Sequence, residues 1–223
     1  MVKAPSIRLL PLRCPSCADD IGIGSMDALF FCRRCLTLWD EREGKLEKRD
    51  VQFIGKTDLT PYYIPFWAYG LTVDTPMGRI EDFHGYIRHI AFARSIDFVE
   101  NHPLKLYVMA ALTRTEPHRL NFSKKFTYKQ VVLEKSEPRN GYIWGPVVDD
   151  ATAKNYSKII FLSTLSEARR SSVEFVSNLE VHLTDPILSF ISFREDGAYY
   201  REGTSQIAVS KGLIAEKPVV LSP

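Results

Sequence analysis

The chain contains no run of about 18 or more apolar residues, so no transmembrane helix is expected. Met1 to Leu12 carry Lys3 and Arg8 but no sustained apolar stretch, which argues against a secretory signal. An excess of one charge is also missing, because 29 Lys and Arg stand against 27 Asp and Glu. Residues 1–57 hold 10 basic and 8 acidic groups, and residues 58–223 hold 19 of each. A dedicated nucleic-acid binder more often concentrates basic charge on one module, so the balance weighs against that class. Folding can still gather charge on one face, so it does not remove it.

Signatures of catalysis are lacking too. There is no G-x-S-x-G, so a hydrolase nucleophile elbow has no support. Gly22-Ile23-Gly24 lacks the third glycine of a dinucleotide loop, and no G-x-x-x-x-G-K-[ST] occurs. No H-E-x-x-H joins the five histidines. His84 and His89 are five residues apart and would not share a helix face. Glu81, His84 and Arg88 would share one, and a solvated helix side is the expected role of that face. His102 and His118 sit beside prolines and are expected in loops. These absences favour a protein that is not an enzyme.

What is present is a set of four cysteines and no fifth: Cys14-Pro-Ser-Cys17 and Cys32-Arg-Arg-Cys35. Two residues between paired cysteines let a tight turn aim both sulfurs at one ion, and Pro15 suits such a turn. The 14 residues between Cys17 and Cys32 allow a short hairpin to return the second pair. Leu36 to Trp39 alternates as a strand would, Glu41 to Gly44 makes a turn, and Leu46 to Phe53 is the expected return strand. Phe30, Phe31, Leu38 and Trp39 are large for so small a unit. They are expected to cover the metal and to seat the module on the rest of the chain.

This arrangement resembles a zinc ribbon over about residues 12–50. The resemblance implies a closed structural Zn2+ site built from Cys14, Cys17, Cys32 and Cys35. A closed site has no open position for water and so no catalytic role. Iron in a similar S4 site, disulfides and a redox pair are the competing readings. Without a secretory signal the cysteines are expected to be reduced, in a cytoplasmic protein. One departure stands out: Ala18 and Leu36 occupy the positions after each pair where such turns usually carry Gly. Either residue is then expected at an unfavourable backbone angle, unless the turn differs in detail. Loss of a ligand is expected to unfold the ribbon and to leave residues 58–223 folded.

Residues 1–57 therefore read as a zinc ribbon module and residues 58–223 as the main domain. The latter opens with Thr60 to Tyr69, five aromatics in ten residues. Tyr62, Ile64 and Phe66 alternate against Tyr63, Pro65 and Trp67, so packing on both sides is expected in preference to a base-stacking platform. Pro65 cannot donate to a ladder, which predicts an edge strand, a bulge or a strand start. Phe83, Ile87, Ile90 and Ala91 form a helical stripe, weakened by Gly85. Residues 104–113 read as a strand, and Asp149-Asp150 as the start of a helix near 151–168. Further strands are expected at 173–183, Ile187–Phe193, Ala198–Glu202 and Ser205–Val209, with a hairpin turn at Asp196-Gly197. The fold class is α+β, a mixed sheet with about two helices.

Three stretches, Tyr63–Trp67, Tyr107–Ala111 and Leu188–Phe193, look faintly alike. Together with the ribbon, the order Tyr63-x-Pro65-Phe66-Trp67, then Leu106–Thr113, then Leu188–Phe193 resembles a set of uncharacterised bacterial proteins. That likeness implies no activity. The expected function is binding of another macromolecule, foremost a protein. The alternative is nucleic-acid binding through Arg33, Arg34, Lys45, Lys48 and Arg49, whose mixture with Asp40, Glu41, Glu43, Glu47 and Asp50 also suits a plain solvated hairpin. A third reading is an enzyme with a site in the main domain.

Overall fold

Period-two patterning dominates the chain, and it folds mostly as sheet. The computed structural model describes residues 13–21, 29–32, 34–42, 45–90, 100–130 and 133–222, with backbone alone for 41–42 and 89–90. Gly22 to Gly24, Arg33, Glu43-Gly44 and Ala91 lie outside the described residues. A three-stranded antiparallel sheet comes first, in the order β1 (Phe30–Cys32), β2 (Thr37–Arg42), β3 (Lys45–Arg49). A nine-stranded mixed sheet follows. It contains β4 (Val51–Ile54), β5 (Tyr62–Thr75), β6 (Gly78–Ile80), β7 (Lys105–Met109), β8 (Gly141–Ile143), β9 (Glu180–Asp196), β10 (Tyr199–Glu202), β11 (Ala208–Ser210) and β12 (Val219–Leu221). Among the described residues there are also five α-helices: α1 (Phe83–Ile90), α2 (Glu116–Lys129), α3 (Asp150–Thr164), α4 (Glu167–Arg170) and α5 (Val173–Ser177). The class is α+β.

The return strand expected over Leu46–Phe53 is two strands. It breaks at Asp50: β3 closes the small sheet, while β4 leaves it and pairs parallel with β9 in the large one. The large sheet thus takes a strand from the N-terminal segment.

The aromatic run is the middle of that sheet. Tyr63, Trp67, Tyr69, Leu71 and Val73 of β5 enter one core cluster, and Ile64, Phe66 and Ala68 enter another. Alternation sends neighbours to opposite faces, and both faces are covered. One is packed by α3 through Ala153, Ile160 and Phe161, and the other by α2 through Phe122 and Phe126. The three faintly similar stretches fall on β5 and on two of the strands that pair with it, β7 and β9.

Pro65 therefore does not mark an edge or a strand start, since it pairs with Phe190 inside the long β5–β9 ladder. The reason lies on the other side of β5. There β8 covers Tyr62 and Tyr63, and β7 takes over only from Phe66. The Pro65 carbonyl accepts from Ala110 N–H at 2.8 Å on that side. A residue's N–H and C=O point to the same side of a strand, so the missing N–H falls in the seam between β8 and β7. No ladder bond is lost there.

The strand expected at 173–183 is overturned in its first half. Ser172 caps α5 by accepting from Phe175 N–H at 3.2 Å, and only Phe175 of that helix is buried. Val173 is 82% exposed, so the alternation was coincidental. β9 starts at Glu180 and runs through the rest of that stretch and the Ile187–Phe193 expectation to Asp196, interrupted by a bulge opposite Ala68–Gly70. Gly197 then takes the first hairpin position at φ 55°. The last of these expectations, Ser205–Val209, is shifted to Ala208–Ser210.

Asp149 caps α3 as read, accepting from Thr152 N–H at 2.7 Å. Helix α2 had no comparable apolar stripe. It places His118 in its first turn, where Pro117 is tolerated because that N–H has no helical partner anyway. Its inward face is partly polar. Ser123, Thr127 and Gln130 reach the backbone N–H groups of Met109, Tyr107 and Lys105 at 3.0, 3.0 and 2.8 Å. Four helical residues rise about 6 Å and two strand residues about 6.6 Å, so the two spacings match. The outer edge of β7 is thereby closed by side chains. Thr127→Val keeps the shape but strands the buried Tyr107 N–H. It should lower stability by about 1–3 kcal/mol in urea unfolding, with an unchanged denaturant slope.

Candidate metal centre

The four cysteines converge. Cys14 and Cys32 are buried, Cys17 and Cys35 half-buried, and all four sulfurs lie within 4.8 Å of one another. Sγ–Sγ separations are 3.5 Å for Cys14–Cys35 and 3.5 Å for Cys17–Cys32. Four sulfurs about 2.3 Å from a central ion would stand about 3.8 Å apart. A disulfide needs about 2.05 Å, so the thiols are unpaired.

Both pairs use the same local device. Ser16 and Cys17 turn their backbone N–H groups to the Cys14 sulfur, and Arg34 and Cys35 turn theirs to Cys32. Ala18 N–H bonds back to Cys14 carbonyl at 2.8 Å. The turn then requires a left-handed residue after the second cysteine. Ala18 stands at φ 58° and Leu36 at φ 56°, as their departure from Gly led one to expect. Such a conformation costs a non-glycine residue about 1–2 kcal/mol.

The donor set fits a metal ion. Burial pushes Cys14 up, but the N–H groups of Cys17 and Ser16, with Cys35 and Trp39, bring it down to about 6. Burial pushes Cys32 up to about 12 despite its own N–H donors. Four negative sulfurs this close are stable together only around a cation. The Trp39 indole N–H is buried with no partner of ordinary hydrogen-bond geometry, and the group it acts on is the Cys14 sulfur. Thr37 Oγ1 lies 3.1 Å from Cys35 Sγ. At Cys14 the backbone N–H groups favour the thiolate form that binds metal.

Strand alternation decides what else the site touches. In the β1–β2 ladder, Phe30 faces Trp39, Phe31 faces Leu38 and Cys32 faces Thr37. Phe30 and Trp39 pack around the cysteines. Phe31 and Leu38 point the other way, into the main core, with Leu29 beside them. Phe31 meets Phe190 of β9 at 5.0 Å between ring centres. The same short hairpin is the wall of the metal site and part of the core of the large sheet.

The basic residues near the site are not gathered. Arg34 pairs with Asp19 at 3.6 Å, and Arg49 with Asp40 at 2.8 Å. Lys45 and Lys48 are exposed, but three residues apart on a strand they point to opposite faces. Arg33 lies outside the described residues. The Glu81 and His84 candidates do not close on a cavity: Glu81 pairs with Arg79 at 2.7 Å, and the backbone N–H of His84 bonds Asn101. The described cavity of about 370 Å³ lies elsewhere, between β3 and the β9 bulge, lined by Lys48, Arg49, Asp50, Trp67, Asp150 and Asp185 among others. Its Arg49 is held by Asp40, and its Asp150 by Tyr69 and Lys154. What sequence reasoning missed was the buried Trp39 indole N–H beside the Cys14 sulfur. Its place two residues past Thr37 on a strand was the available signal.

Comparison with protein-family models, curated proteins and solved structures finds no match. The chemistry of the site stands on its own geometry.

The packing of Phe31 and Leu38 in the core sets a different expectation from a ribbon that unfolds alone. Stripping the metal with a strong chelator should loosen the core around Phe31, Leu38 and Phe190. Near-ultraviolet dichroism and hydrogen exchange in β9 read this out. A β9 that keeps full protection in the stripped protein would contradict the coupling. Ala18→Gly relieves the left-handed strain at an exposed position and should stabilise the metal-loaded protein by about 0.5–1 kcal/mol, measured by thermal unfolding. Leu36→Gly should give no net gain, because Leu36 also packs on the core.

Proposed function

We propose that Cys14, Cys17, Cys32 and Cys35 hold a structural zinc ion, and that the chain is a non-catalytic zinc-ribbon protein of the cytoplasm that acts by binding another protein. The observation that carries this reading is the closed four-sulfur cluster on a hairpin whose other face lies in the core. Four protein donors leave zinc no position for water or substrate, so the metal supplies rigidity. The cavity between β3 and the β9 bulge has no cysteine, serine or histidine in its lining. No helix of the described residues is long and apolar enough to cross a membrane. Structural zinc in ribbon-like peptides contributes on the order of 10 kcal/mol of apparent binding energy, enough to decide whether a small module folds. Zinc supports one shape of the ribbon and of the sheet beneath it, and that shape is what a partner recognises.

Nucleic-acid binding is the competing reading. The neutralisation of Arg34 and Arg49 by neighbouring carboxylates speaks against it. Elemental analysis of the purified chain should find zinc near one per chain. Iron in its place would overturn the metal assignment, and neither metal would overturn the site. Tagged protein recovered from its native host should retain a protein partner that Cys35→Ser loses. DNA and RNA should migrate unchanged with the protein at low salt, and a salt-sensitive shift would replace the protein-binding reading with the nucleic-acid one.

A further inference from the structure

Far along the large sheet from the cysteines, β5 and β9 bring a second kind of donor set together. Glu180 and His182 are two residues apart on β9, so they project from one face of the strand. Asp74 of β5 lies directly across from Glu180, and Thr72 directly across from His182. Asp74 is therefore diagonal to His182 on that face. Their ligand atoms lie within 4.8 Å of one another. His182 Nε2 is 2.7 Å from Asp74 Oδ2 and 3.9 Å from Glu180 Oε2.

We propose that Asp74, Glu180 and His182 form an open binding site for a first-row divalent cation. Two donors each about 2.1 Å from a tetrahedral ion stand about 3.4 Å apart. The observed 2.7 and 3.9 Å bracket that spacing, so small side-chain rotations admit the ion. One imidazole nitrogen and two carboxylates suit zinc, manganese, cobalt or nickel better than a soft ion. The register supplies a separate reason. Two carboxylates directly opposed on an antiparallel pair repel each other, and a cation between them reverses the sign. Among the described ion pairs, the cation beside Asp74 other than His182 is Arg79. Its Nε is engaged by Glu81 at 2.7 Å and stands 3.9 Å from the other Asp74 oxygen, leaving Oδ2 to His182. The strands themselves are held from behind. Val73 is buried in the core, with Val181 and Leu183 packed against it, so the three donors project from a fixed base. All three are partly exposed, and the remaining coordination positions face solvent. Unlike the four-sulfur site, this one keeps places for water or for a donor from another molecule.

The test uses the full chain with its four-cysteine site already filled with zinc and loosely held metal removed by a chelating resin. Calorimetric titration with Zn2+ should reveal a second equivalent. The imidazole resonances of His182 should shift in step with it. His182→Ala and Asp74→Asn should each weaken that second event at least about tenfold, the lower end of what even indirect supporting residues contribute at metal sites. The first equivalent should stay bound in both variants, which verifies that they fold. A stoichiometry that stays at one overturns the proposal. Weak uptake that both variants leave unchanged overturns it equally, because it identifies adventitious binding elsewhere on the surface.

Discussion

The structure depends on the two faces of one short hairpin. Strand geometry sends successive side chains in opposite directions, so β1 and β2 must sort their residues between two environments. Cys32, Phe30 and Trp39 go to the metal site, while Phe31 and Leu38 go to the core. A one-residue slip of the β1–β2 register would exchange the two sets and destroy both environments at once. The cysteine turns fix that register from one end. The thiolates need a cation, and the cation needs the turns. The turns in turn hold the strands that the large sheet packs against. The hairpin therefore ties the cysteine cluster to the core of the large sheet.

A second constraint is the satisfaction of backbone groups around β5. A long central strand flanked by shorter ones leaves seams, and each seam must be filled or rendered harmless. Pro65 removes the donor at the β8–β7 seam. Helix α2 supplies hydroxyl and amide oxygens along the far edge of β7. The bulge in β9 opposite Ala68–Gly70, with Asp185 at φ 50°, lets two strands of unequal length stay paired across the bend. These are local solutions to one problem, a sheet too large for uniform pairing.

This explains which parts of the fold were legible in the sequence. The four-cysteine cluster, the strained Ala18 and Leu36, the two-sided aromatic run and the Asp149 cap each follow from rules that act within a few residues. Helix α2 was illegible because its buried face at Ser123 and Thr127 answers to the N–H groups of a strand some 14 to 20 residues away. Val173 to Ser177 misled because alternation occurs by chance in a short helix, and only burial tells the two apart. Pro65 misled for the opposite reason. The rule that excludes proline from central strands assumes a neighbour on both sides, and here the neighbour changes at that residue. Asp74, Glu180 and His182 could not be grouped from one sequence at all, since their meeting depends on a register across more than 100 residues.

The two candidate metal sites differ in how they bear on the fold. The four-sulfur cluster faces inward, and the residues that enclose it share strands with residues of the core. An ion held there would be coupled to the packing of the core. Asp74, Glu180 and His182 face outward from strands whose inner residues are already packed. A cation there can come and go without disturbing Val73 behind it. The inward thiols lie beside strands that share the core, and the outward donors face solvent. In chemical terms, the hard, solvent-facing oxygen and nitrogen donors favour ions that exchange quickly, whereas the buried thiolates hold theirs. Any metal dependence of partner binding must therefore distinguish a slow component that alters the core from a fast one that does not.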